Sequence, residues 1–293
     1  MRVPILATGM SGLVGTRIAE LLHAEFSFED LSFDTGVDIT DPGSVEKHIA
    51  KSSAQVVLHM AAKTDVDACE DDKLLGEEGG AWMVNVFGTQ NVVSAAQKFG
   101  KRVIYISTDF VFDGIKNHYT EEDEPNPMNW YAVTKYEGEK IVARAYGCIV
   151  RISYPYRAYF PNKKDFVARI LGNLKNGKSV VGLTDHIFTP TFIDDIASAL
   201  RIILSRHLYG IFHVVGSSSH SVYEAVEIIA NVFGYKASIT QTTREKYFHN
   251  RAFRPFKLAL NNAKIRKLGI SMRGFEEGLR QVKKQTQRRI STI

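Results

Sequence analysis

Gly9, Gly12 and Gly15 stand in the run Gly9-Met10-Ser11-Gly12-Leu13-Val14-Gly15. The apolar stretch Val3–Ala7 before it reads as a strand, and Gly12–Ala24 after it carries apolar residues at helical spacing. A strand that turns on glycine straight into a helix opens a βαβ unit, and so commits the chain to a parallel sheet. Each glycine has a task there: Gly9 permits the tight turn, Gly12 lets the backbone approach a pyrophosphate, and Gly15 allows close helix packing. Ser11, Leu13 and Val14 share that turn, where the helix N-terminus offers unpaired amides and positive potential to a dinucleotide. A glycine-rich turn with no ligand is the plainer alternative.

The alternation continues downstream. Leu31–Asp34, Gln55–Met60, Arg102–Ser107 and Cys148–Ser153 read as further strands, and Pro42–Ala50, Trp82–Phe99 and Trp130–Tyr146 as helices between them. Gly100 and Gly147 stand where C-terminal caps belong. The fold class expected is α/β, a Rossmann-type doubly wound parallel sheet over residues 1–152 that binds a dinucleotide. Residues 153–293 read as mainly a smaller, substrate-binding lobe, with segments returning to the first domain. Its expected elements are helices near Asp165–Asn176, Asp194–Leu204 and Val222–Phe233 and strands at Val180–Leu183 and Gly210–Val215.

The second strand is expected to end at Asp34, whose carboxylate would accept hydrogen bonds from an adenosine ribose and repel a 2′-phosphate. Arg17 offsets that repulsion in part, so NADH is favoured over NADPH with both left open. A solvated turn residue is the bland reading of Asp34. Asp38 and Ile39 are placed to flank the adenine, and Ala61, Ala62 and Lys63, after the third strand, to lie near pyrophosphate and ribose.

Ser107-Thr108-Asp109-Phe110-Val111-Phe112-Asp113-Gly114 closes the fourth strand and sets a hydroxyl pair at the sheet edge that holds the glycine turn. Downstream, Asn129 is a fitting cap for the helix that begins Trp130-Tyr131-Ala132-Val133-Thr134-Lys135. Tyr131 then falls in the first turn and Lys135 one turn later on the same face. Alone, that spacing is more commonly an ordinary helical contact. With the hydroxyls upstream, it suggests hydroxyl, phenol and ammonium converging for redox chemistry on an alcohol or ketone.

At these residues the chain resembles the extended short-chain dehydrogenase/reductase superfamily and, within it, the dTDP-4-dehydrorhamnose reductase family. The resemblance is carried by Gly9–Gly15, Ala61-Ala62-Lys63-Thr64-Asp65-Val66-Asp67 with Glu70, Asn85, Ser107–Gly114, Pro127–Lys135 with Gly138-Glu139, Pro190-Thr191, and Arg254-Pro255 before Leu260-Asn261. It implies a catalytic triad of Thr108, Tyr131 and Lys135. A hydride passes to a sugar's C4 carbonyl, Tyr131 protonates the oxygen, Thr108 donates a hydrogen bond to it, and Lys135 holds the nicotinamide ribose. Lys135 is also expected to draw the phenol's pKa from ~10 to near 7, which requires about 4 kcal/mol. Asn85 would help order the cofactor site.

On the substrate side the resemblance implies Thr108, Asp109, Val111, Phe112, Tyr154 and Arg254, although packing is the more ordinary role for Val111 and Phe112. Arg254 suits a nucleotide diphosphate because its guanidinium fork matches phosphate oxygens, and Lys257 stands near to assist. The chain departs from the family in this half. Tyr154 occupies a place where the rhamnose-forming enzymes usually have Trp, Thr189 replaces a small residue, and Arg254-Pro255 is followed by Phe256-Lys257 rather than Asn-Ser. A sugar epimerase or dehydratase is an alternative, but Thr108 is followed by Asp109-Phe110 and not by the dehydratase Asp-Glu pair. A non-catalytic subunit like the methionine adenosyltransferase β-subunit, which is similar to this family, is the alternative from another class.

Composition narrows the partners. Of the net charge of +5, Arg273, Arg280, Lys283, Lys284, Arg288 and Arg289, less Glu276 and Glu277, supply four units, so the rest is near neutral. No nucleic-acid partner is expected. No apolar run reaches the ~18–20 residues of a membrane span, and the first strand leaves no room for a signal peptide. Cys69 and Cys148 are the only cysteines. They lack disulfide or metal-ligand spacing, so a reduced, cytoplasmic protein without a metal is expected. A homodimer is compatible with all of this.

Overall fold

The computed structural model describes residues 1–290; the last three positions of the lobe expected over 153–293 lie outside the described residues. Strands β1 (Val3–Thr8), β2 (Phe26–Leu31), β3 (Val56–His59), β4 (Arg102–Thr108) and β5 (Cys148–Ile152) alternate with helices α1 (Leu13–Leu22), α2 (Pro42–Lys51), α3 (Val66–Asp71), α4 (Gly80–Trp82), α5 (Gly88–Lys98) and α6 (Trp130–Arg144). The rest of the chain supplies β6 (Pro155–Tyr156), α7 (Phe166–Lys175), β7 (Val180–Leu183), β8 (Ile187–Phe188), β9 (Thr191–Phe192), α8 (Ile193–Arg206), β10 (Gly210–His213), β11 (His220–Ser221), α9 (Val222–Phe233), β12 (Ile239–Thr242), α10 (Arg244–Tyr247), β13 (Lys257–Leu258), α11 (Ala263–Arg266) and α12 (Phe275–Ile290).

Six strands form one parallel sheet in the order β10-β5-β4-β3-β1-β2. Strands such as β3 and β4 are apolar on both faces because helices cover both. One face packs Ile5, Ala7, Ile104 and Ile106 on α1 and α8; the other packs Leu6, Val57, Val103 and Tyr105 on α2 and α5. Strand order reverses between β1 and its neighbours β2 and β3, which leaves a crevice at their carboxyl ends. Although late in the chain, β10 pairs with β5 in register Gly210 to Cys148, and α8 packs on α1. A separate core around Tyr156, Phe188, Phe192, Phe275 and Leu279 holds α7, α9 and α12 beside three small sheets, β11-β8-β13, β12-β7 and β6-β9. Among the described residues no helix is long and apolar enough to cross a membrane.

The structure corrects several local expectations. The second strand is Phe26–Leu31 and not Leu31–Asp34; it is the sheet's edge, so its half-exposed Ser27, Glu29 and Asp30 hide it from an apolar-run reading. Asp34 lies in an exposed 3₁₀ turn, Phe33–Thr35, closed by left-handed Gly36. Gly100 has the expected left-handed backbone, but at the end of α6 that conformation belongs to Tyr146 (φ 54°). Gly147 is small for a different reason: a Cβ there would lie 2.5 Å from Val142 Cγ1. The expected helix Trp82–Phe99 is interrupted by a π turn, Met83–Phe87, that carries Asn85.

Candidate active site

The glycine turn is built as its residues require. Gly9 sits at φ +70°, and a Cβ on it would meet the Ala61 nitrogen at 2.8 Å. A Cβ on Gly15 would lie 2.5 Å from the Gly9 carbonyl oxygen. Ser11 is exposed at the mouth of the turn, and Leu13 and Val14 begin α1 with side chains packed on the core. Ala61 presents its backbone to the same crevice: with Met60 it donates its N–H to Thr8 Oγ1, both at 3.0 Å. Ala62 follows it, half-buried.

The acid at the end of the second strand is Asp30. Its Oδ2 accepts from Ser32 Oγ at 2.7 Å, whereas its Oδ1 is buried with no partner. Arg17 cannot offset a charge there, because its guanidinium forks onto Asp194 at 2.7 Å through two nitrogens. Asp38 caps its own turn, accepting from the amide and hydroxyl of Thr40 at 2.8 Å. Ile39 is buried and packs where a Cβ on Gly88 would lie, 2.8 Å from its Cδ1. Lys63 turns its ammonium to Asp72 at 2.6 Å. Its main chain is clamped by Asn85, which accepts from Lys63 N at 2.8 Å and donates to Lys63 O at 3.0 Å.

Thr108, Tyr131 and Lys135 come together, all buried, at the carboxyl end of β4 and on the first two turns of α6. Asn129 caps that helix by accepting from Ala132 N at 2.8 Å, as its sequence position requires. Burial pushes the Tyr131 phenol above its ordinary pKa, with Thr108 opposing. The expected lowering by Lys135 is not what this arrangement produces. The Lys135 ammonium donates to the Ile106 carbonyl at 2.8 Å and lies 3.9 Å from the Tyr105 ring centroid. Burial pushes Lys135 itself down to about 7, with Glu139 opposing. A neutral phenol is the state a proton donor needs, and an alkoxide is the stronger base, so transfer from Tyr131 runs downhill.

Asp109 stands behind Thr108. It accepts from Thr108 Oγ1 at 3.0 Å and Ser153 Oγ at 2.6 Å, and burial pushes its carboxyl up to about 7. Ionised Asp109 therefore takes the one hydroxyl proton that Thr108 has, and protonated Asp109 releases it toward a substrate oxygen.

Val111 and Phe112 are fully buried and committed to packing, Phe112 stacked 4.3 Å from Tyr119, which removes them from the substrate wall. Tyr154 does form an aromatic wall with Phe110 and Phe188, from a left-handed backbone (φ 40°). Its hydroxyl donates to His186 Nε2 at 2.7 Å, and His186 Nδ1 donates to the Pro255 carbonyl at 2.9 Å. Arg254 is paired with Asp67 and donates to Ala252 O at 2.7 Å, so it is oriented by the segment Asp65–Glu70. Lys257 reaches Asn117 instead. Sequence reasoning missed Asp30, Ser153 and His186. An acid at a strand end signals the first, but the other two are brought in only by tertiary contacts.

The crevice fits a dinucleotide on two counts: the orphaned Asp30 Oδ1, and the buried Ser107 Oγ, which also lacks a partner beside Thr108. Fold and site together define an extended short-chain dehydrogenase/reductase. Within that class the chain belongs to the family of the RmlD substrate binding domain, whose model matches residues 1–288. It is 30% identical to a dTDP-4-dehydrorhamnose reductase of Aggregatibacter actinomycetemcomitans, covering 95% of this chain and 98% of that protein. A crystal structure of dTDP-4-dehydrorhamnose reductase from Bacillus anthracis in complex with NADP superposes with a TM-score of 0.89 at 28% identity, over 98% of this chain and all of that one. The methionine adenosyltransferase 2 subunit beta of Mus musculus is 28% identical over 94% of this chain and 86% of its own length.

Proposed function

We propose that the protein reduces the C4 keto group of a nucleotide-activated deoxysugar at the expense of NADH or NADPH, with dTDP-4-dehydrorhamnose the best single substrate. The observation that carries this reading is the convergence of Thr108, Tyr131 and Lys135 beside the crevice. The glycine turn, the Ala61–Lys63 backbone and Asp30 would hold the dinucleotide, which supplies a hydride when bound. Tyr131 transfers its phenolic proton to the oxygen that becomes an alkoxide. Thr108 donates a hydrogen bond to that oxygen once Asp109 is protonated, and Lys135, in its protonated form, provides positive charge one turn below. Arg254, oriented by Asp67, is suited to the diphosphate, and Tyr154 walls the sugar side. The setting is a reducing cytoplasm, which suits two buried free cysteines.

The likeness to a methionine adenosyltransferase subunit favours one other reading, a dinucleotide-binding regulatory subunit. The test is oxidation of NADH and NADPH with a panel of nucleotide 4-keto sugars. Turnover on at least one is expected; none, with cofactor binding intact, favours the regulatory reading.

A further inference from the structure

Between the glycine turn and the catalytic helix runs a line of buried polar side chains, Thr8, His59, Thr89, Asn85 and Thr134, each 0% exposed. The direction of every hydrogen bond in it is forced. Thr8 Oγ1 accepts two backbone N–H groups, from Met60 and Ala61, so its own proton goes to His59 Nδ1 at 2.7 Å. His59 is neutral, since burial lowers it to about 3, and with Nδ1 accepting, its proton sits on Nε2. Nε2 donates to Thr89 Oγ1 at 3.0 Å, and Thr89 donates onward to the main-chain carbonyl of Asn85 at 2.7 Å. The Asn85 side-chain orientation is set by Lys63, whose N–H only donates and whose carbonyl only accepts. Its Nδ2 therefore donates to Thr134 Oγ1 at 2.9 Å, and Thr134 donates to the main-chain carbonyl of Tyr131 at 2.9 Å.

We infer that His59, Thr89 and Thr134 are positioning residues: two runs of hydrogen bonds, joined through Asn85, lock the turn that seats the dinucleotide to the main chain of the proton donor. The inference rests on the reductase reading for its kinetic consequence, though not for the chain itself. No link reaches solvent, so deleting the Thr89 hydroxyl leaves the buried His59 Nε2–H without its partner and cuts the tie between the Ala61 turn and the Tyr131 turn. A misplacement of a fraction of an ångström between reacting groups is enough to slow a reaction on the order of tenfold.

The test uses the full chain. ¹⁵N spectra of histidine-labelled protein, with His59 assigned by His59→Gln, are expected to show Nδ1 unprotonated and Nε2 protonated; the opposite tautomer, or a mixture, overturns the chain whatever the enzyme's substrate. Thr89→Val removes the hydroxyl at nearly constant shape. It is expected to lower kcat about tenfold while leaving the KM for dinucleotide within about twofold, and Thr89→Ser to restore kcat. Loss of melting temperature with kcat unchanged, below both transitions, would show a merely structural role. If the wild type turns over no sugar, the Tyr131 and Ala132 amide resonances decide: a shift in Thr89→Val that Thr89→Ser reverses upholds the coupling, and unmoved resonances refute it.

Discussion

Replacing Asp109 with Asn removes an ionisable group that the fold holds far from its ordinary state. Burial raises the Asp109 carboxyl from 3.8 to about 7. The folded protein therefore binds a proton at pH values where the unfolded chain has released it, and this group's contribution to stability falls as pH rises from about 4 to about 7. A displacement of about three pKa units corresponds to about 4 kcal/mol across that window. Buried His59, His186 and His213, lowered to about 3, 4 and 3, act in the opposite sense, each adding stability as pH rises toward the ordinary histidine value. They are common to both proteins and cancel in the difference. Any fixed change in hydrogen bonding to Thr108 and Ser153 shifts one curve vertically without tilting it. Urea denaturation of wild type and Asp109→Asn at pH 4, 6 and 8 is thus expected to show the wild type losing about 4 kcal/mol relative to the variant as pH rises. Parallel stability curves would refute a buried, proton-holding Asp109, and with it the switch that frees the Thr108 hydroxyl.

Further outcomes follow from the same geometry. Gly9→Ala places a methyl 2.8 Å from the Ala61 nitrogen at φ +70°; it should cost about 1–3 kcal/mol of stability in a thermal melt and weaken dinucleotide binding measured by calorimetry. Because the carboxylate at the strand end is Asp30, fluorescence titration should find NADH bound more tightly than NADPH, and Asp30→Asn should narrow the gap; markedly tighter NADPH binding contradicts the repulsion argument. Tyr154→Phe deprives the buried His186 Nε2 of its donor and should cost about 1–2 kcal/mol by chemical denaturation.

The parts of this molecule that were legible in sequence are those where local chemistry decides structure. Gly9 and Gly15 are readable because only glycine suits their backbone or packing, and Asn129 because a cap one position before an amphipathic run has a specific task. Tyr131 and Lys135 then follow from helical geometry. The edge strand β2 is hidden in the sequence because four of its six residues are partly exposed, and Asp30 is hidden with it, leaving Asp34 as the apparent strand-end acid. The electrostatics were not legible: burial raises the Tyr131 phenol, and the Lys135 ammonium turns to Ile106 and Tyr105, both of which only the packed sheet decides. His186 and Ser153 lie 32 and 44 positions from the groups they hold, so no spacing announces them.

Tyr131 as the proton donor for reduction of a nucleotide-linked ketone is tested most directly by isotope transfer. Wild type and Tyr131→Phe are incubated with NADH and NADPH deuterated at nicotinamide C4 and with a nucleotide 4-keto deoxysugar, and the product is analysed by mass spectrometry. One deuterium at sugar C4 with the wild type, reduced at least about 100-fold in rate in Tyr131→Phe at retained dinucleotide affinity, is the predicted result, the lower end of the range for loss of a general acid. Undiminished transfer by Tyr131→Phe, or no deuterium in any sugar of the panel with wild type that binds the cofactor, would contradict it.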